Sequence, residues 1–122
     1  MSWQRFTDEY AASGAIRLGS WSVTPARGDL VECRATIAVA DRIMSCSATA
    51  AGPMGAMTSI LCDLGAPVQI NRLHQRRLDD GAVATFLLCE NEGRQAWAYG
   101  QGATGDEANI AALIAGANRL MG

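Results

Sequence analysis

The stretch "SATAAGPMGAM", residues 47–57, brings a strand end, a bare Gly52-Pro53 corner and an opening helical pattern together. A helix start leaves several backbone N–H groups without internal partners and carries partial positive charge, which is the chemistry that holds a carboxylate. No Ser, Thr, Asp or Asn stands immediately before Pro53, and no acid lies in the first turn, so these donors are open. The second such corner differs, because Thr104, Asp106 and Glu107 can satisfy it from within; Thr104 with Glu107 three residues on reads as a capping box. A plainer reading of Gly52-Pro53 remains, a tight corner whose N–H groups meet water. His74 beside Arg72 has the chemistry of a general base, although a lone histidine on a polar strand is ordinarily a surface residue.

Other chemistries find little support. Cys33, Cys46, Cys62 and Cys89 are widely separated, without a C-x-x-C pair, and His74 is the only histidine. Metal sites draw on close ligand pairs, so no metal or cofactor is expected and the cysteines read as buried small hydrophobes. Trp97 and Tyr99 share a strand face and read as core or interface aromatics. No nucleophile, base and acid form a set.

The elements that carry these residues follow from hydrophobic period. "DLVECRATIAVA", residues 29–40, places Val31, Cys33, Ala35, Ile37 and Val39 on one face of a half-buried strand. "AIRLGSWSVTPA" before it and "RIMSCSATA" after it read as antiparallel neighbours, because the connections are short. Met54, Met57, Leu61 and Leu64 then form one helical stripe, with Pro53 suited to the first position and Gly65 to the end. The order recurs: "PVQINRLHQRRL", "AVATFLLCE" and "QAWAYGQG" are strands, and "GDEANIAALIAGANRLM" is a helix with Ile110, Leu113, Ile114 and Ala117 on one face. The expected fold is α+β: two pseudo-symmetric β-β-β-α units, about 15–65 and 66–122, with antiparallel sheets and helices packed on one side. Residues 1–14 carry Trp3, Phe6 and Tyr10 at helical spacing and read as an arm or short helix.

Length and composition fit one folded domain: 122 residues, 49% hydrophobic and 18% charged. All ten basic residues are arginines, and twelve acids bring the net charge to −2, which argues against nucleic acid as a partner. Arg72, Arg76 and Arg77, followed by Asp79 and Asp80, read as a solvated strand end. No apolar run reaches the roughly 18 residues of a membrane helix, and the opening "MSWQRFTDEY" lacks the order of a signal peptide. A cytoplasmic protein, with no membrane partner, is expected.

From about Ile16 to Leu120 the sequence resembles the C-terminal regulatory domain of the 2-isopropylmalate synthase and citramalate synthase family. The resemblance is carried by "AAGPMGAMTSILCDLGAPVQI" and "WAYGQGATGDEANIAALIAGANRL". It implies a doubled β-β-β-α fold, dimerisation, and an amino-acid effector held between the units near the dimer interface. By position, it assigns Ala50, Gly52, Met54 and Gly55 at the first helix start, Ile70 and Leu73 on the next strand, and Gly100, Gln101, Gly102 and Ala103 at the second junction. On this reading the N–H groups at Gly52-Pro53 hold a carboxylate, an acid of the second junction faces an ammonium group, and Met54, Ile70 and Leu73 hold an aliphatic side chain.

The departures are specific. Ala50 and Ala51 stand where the family favours glycine and asparagine, and Gly55 where it favours aspartate; the catalytic barrel and its metal-binding histidines are missing from the chain. The resemblance therefore implies a free-standing regulatory-type domain, homodimeric, binding a leucine-like amino acid or small carboxylate and acting on a separate synthase. Two other classes stay open. One is a domain recruited as a small biosynthetic enzyme using Glu107, His74 or a cysteine, and the other is a purely structural dimerisation module.

Overall fold

The computed structural model describes residues 15–121. Three strands, β1 (Ile16–Pro25), β2 (Val31–Val39) and β3 (Arg42–Ala50), precede helix α1 (Pro53–Asp63). Three more, β4 (Gln69–Arg77), β5 (Val83–Asn91) and β6 (Arg94–Gly102), precede α2 (Gly105–Met121). Each trio forms its own antiparallel sheet, in the order β1-β2-β3 and β4-β5-β6. The expected α+β architecture of two repeated units is the observed one. The arm proposed for residues 1–14 lies outside the described residues.

The repeat has one constant offset. Val31 and Val83, Arg42 and Arg94, and Pro53 and Gly105, the first residues of matching elements, all stand 52 residues apart. The edge strands share the offset, since Leu18 pairs with Ile37 as Ile70 pairs with Cys89, and both strands bulge just beyond that pair. The second hairpins match as well, each with a non-glycine residue of positive φ at the same place, Ala40 (φ 55°) and Glu92 (φ 51°). Side-chain identity between the halves is slight, so shared backbone geometry carries the repeat.

Alternation places the core. On β2, Cys33, Ala35 and Ile37 are buried, and on β5 Val83, Thr85, Leu87 and Cys89 are buried. Helix α1 covers the inner face of β2 and β3 with Ala56, Met57, Ile60 and Leu61, while Met54 and Leu64, the ends of the expected stripe, are half-buried. Helix α2 covers β5 and β6 and also meets α1 and the start of β1. One hydrophobic core therefore runs through both units. Its two halves are tied by Asn118, whose Oδ1 accepts from the Ile16 N–H at 3.0 Å while its Nδ2 donates to the Ile16 carbonyl at 2.9 Å.

Helix α1 ends in a glycine-closed turn. Gly65, at φ 85°, donates to the Cys62 carbonyl, and Ala66 donates to the Leu61 carbonyl. The cysteines are all free thiols. Cys33 and Cys89 are buried as expected, whereas Cys46 is half-buried and Cys62 is exposed, because it lies on the solvent side of α1. No described helix is long and apolar enough to cross a membrane.

Candidate functional site

Gly52 takes the N-cap position of α1 in extended conformation (φ −162°, ψ 172°), and its carbonyl accepts the first helical bond, from the Ala56 N–H. No side chain caps this start, and no acid lies in its first turn. A Cβ placed on Gly52 meets nothing within 4 Å, and one on Gly55 reaches only the Ala50 Cβ, at 3.5 Å. The first junction thus combines open donors with open space. Ala50 and Met54 sit beside it, both half-buried against the core.

The second junction is closed. Thr104 Oγ1 accepts from the Glu107 N–H at 3.2 Å, and Glu107 Oε2 accepts from the Ala103 N–H at 2.8 Å, so the helix start is closed by a capping-box-like pair whose acid reaches the residue before the N-cap. Gly100 and Gly102 face α2 at distances that leave no room for a side chain. A Cβ on Gly100 would stand 2.1 Å from the Ala112 nitrogen, and one on Gly102 would stand 2.5 Å from the Glu107 Cβ. These glycines let strand and helix approach each other. Gln101 points to the opposite side of the sheet and accepts the Tyr99 hydroxyl at 2.7 Å.

Beside this junction lies a polar cluster that the hydrophobic pattern does not announce. Thr85, fully buried, donates to Asn109 Oδ1 at 2.7 Å, and Gln75 Nε2 contacts Thr85 Oγ1, Asn109 Oδ1 and the Gly105 carbonyl at 2.9–3.2 Å. The first unit has Val23, Cys33 and Met57 at the equivalent positions, all apolar. The cluster fastens β4 to the start of α2, which within its own sheet otherwise covers β5 and β6.

The remaining candidates separate. Ile70 is half-buried against the core, while Leu73 is 43% exposed on the inward face of an edge strand that neither helix covers. His74 is exposed and stacks on Trp97, ring centroids 6.0 Å apart, on the face opposite α2. Glu107 is engaged in its cap through the Ala103 N–H. Arg72, Arg76, Arg77, Asp79 and Asp80 are exposed, as a solvated strand end requires. The described residues hold no cluster of His, Cys, Asp or Glu able to bind a metal ion. A broad open depression of about 480 Å³ lies over the outer face of the first sheet, lined by Ser20, Ser22, Arg34, Thr36, Ser45 and Ser47, and neither junction borders it.

Fold and junctions together define a doubled β-β-β-α domain with one open and one self-capped helix start. The sequence is homologous to 2-isopropylmalate synthase. It is 27% identical over 131 aligned residues to the enzyme of that name from Clavibacter michiganensis subsp. michiganensis, and 26% identical over 131 to that from Clavibacter sepedonicus. In both cases the match covers 98% of this chain and 22% of the relative. No family model matches the chain.

Proposed function

We propose that this chain is a regulatory-type domain that binds a leucine-like amino acid or a similar small carboxylate at the junction of its repeats, pairs with a second copy, and acts on a separate synthase. The observation that carries this reading is the distant homology to one fifth of a 2-isopropylmalate synthase, a share of the relative's length that suits an accessory domain. The contrast between the junctions supports it. The start of α1 has unclaimed N–H donors and vacant space beside Gly52, whereas the start of α2 has neither. Met54 and Ile70 each present a half-buried apolar side chain packed against the core, and a ligand carboxylate complements the α1 N-terminus. Regulation then requires the ligand to bind two states of the assembly with different affinity.

A thermal-shift series with leucine, isoleucine, valine and their keto and hydroxy acids tests the reading. A ligand at 100 times its dissociation constant stabilises the fold by about 2.7 kcal/mol, several degrees for a domain of this size. The expected result is a selective shift that Gly52→Val abolishes while the unliganded melting temperature stays nearly unchanged, because a Cβ at Gly52 meets nothing and its backbone is extended. No shift across the series rejects the effector reading.

A further inference from the structure

The two sheets differ on the faces turned away from their helices. On the first sheet that face carries Glu32, Arg34 and Thr36 of β2 and Ser45, Ser47 and Thr49 of β3. At the equivalent positions, 52 residues on, the second sheet carries Ala84, Phe86 and Leu88 of β5 and Trp97, Tyr99 and Gln101 of β6. The fold therefore does not require an aromatic surface there, since the same backbone accepts a hydroxyl-rich one. Phe86 and Tyr99 meet edge to face at 5.1 Å, and His74 stacks on Trp97. Both described helices lie on the other side of the sheets, yet Tyr99 is 2% exposed and Ala84 is fully buried.

We propose that this face, Phe86, Leu88, Trp97 and Tyr99 with Arg72 and Arg76 along its β4 rim, is the docking surface for residues 1–14 of the same chain. The segment has the matching chemistry. Trp3, Phe6 and Tyr10 make one apolar stripe at helical spacing, and Asp8 and Glu9 are the complement of the two arginines. The point of entry also fits. Ala15 precedes Ile16, which Asn118 holds against the last turns of α2, and Arg94 at the start of β6 donates to the Leu120 carbonyl in that same helix end. Trp97 lies three residues along β6 from Arg94, about 10 Å. Fourteen residues reach about 21 Å even in helical form.

Limited trypsin digestion of the full chain, read at the Arg5-Phe6 bond, tests the assignment. The face is altered in a Leu88→Thr/Trp97→Ser variant, which installs the residues that Thr36 and Ser45 place on the first sheet, and independently in Arg72→Glu/Arg76→Glu. The wild type is expected to be cut at Arg5 more slowly than a synthetic peptide of residues 1–14. Both variants should raise that rate at least about tenfold, with circular dichroism and cleavage at the other arginines unchanged. Wild-type cleavage as fast as the free peptide, or rates that the folded variants leave unchanged, overturns the proposal. A light-scattering mass that halves in the variants while Arg5 stays protected also overturns it, and gives the face to a second copy.

Discussion

Burial at single residues fixes which thiols can react and where stability turns on pH. Burial pushes the Cys89 thiol up to about 11 from the ordinary 9.0, and raises that of Cys33 in the same direction. A Cβ on Gly116 would stand 2.5 Å from Cys89 Sγ, so the sulfur is pressed against α2 with no space for a reagent. Because the folded value lies above the unfolded one, the stabilisation is complete below pH 9 and is lost as pH rises towards about 11, by about 3 kcal/mol for Cys89. Tyr99, raised by burial and by the nearby Asp80 charge, adds to the same alkaline loss. The melting temperature should therefore fall between pH 9 and 11, and less steeply in Cys89→Ala. The four cysteines were all expected inside; Cys62 departs from this because its place on the outer side of α1 depends on which way the helix is rolled.

Close approach between elements is set by small side chains on both partners. Ala98, Gly100 and Gly102 of β6 meet Ala108, Ala112 and Gly116 of α2, and this lets the helix backbone come down onto the strand. Gly100→Ala should lower stability by roughly 2–4 kcal/mol, since its methyl would collide with helix backbone, which cannot yield as a side-chain tip would. Gly52→Ala, with nothing within reach, should cost far less. Urea unfolding of the two variants side by side checks the contrast. The strands, helices and capping box were legible in the sequence because each follows from local period or from residues three apart. The packing role of Gly100 and Gly102 was not: alternation puts them on one strand face, but only the docked helix shows what that face touches.

Among the described residues, two sheets that do not pair with each other are joined through a shared core, their helices and the Asn118 side chain. Asn118 imitates a strand neighbour by accepting from and donating to the Ile16 backbone, 102 residues away in sequence. Asn118→Leu should leave both backbone groups of Ile16 unsatisfied and destabilise by about 2–4 kcal/mol. Hydrogen exchange should then rise first at the start of β1, the segment that α2 no longer holds. The equivalent position of the first unit is Ala66, so the tie has no counterpart and breaks the internal symmetry.

The sequence alone determined the α+β class, the β-β-β-α order that the described residues show twice over, and the open start at Gly52 against the capped one at Thr104. These rest on short-range regularities: side chains alternating along a strand, stripes along a helix, and caps that act within a few residues. Tertiary structure decided the rest. It alone set the constant 52-residue offset, turned Gly100 and Gly102 towards the helix, gathered Gln75, Thr85 and Asn109 into one polar cluster, and separated an aromatic sheet face from a hydroxyl-rich one. Each of these depends on which elements are brought together and at what distance, and contacts between residues far apart in sequence leave no period to read.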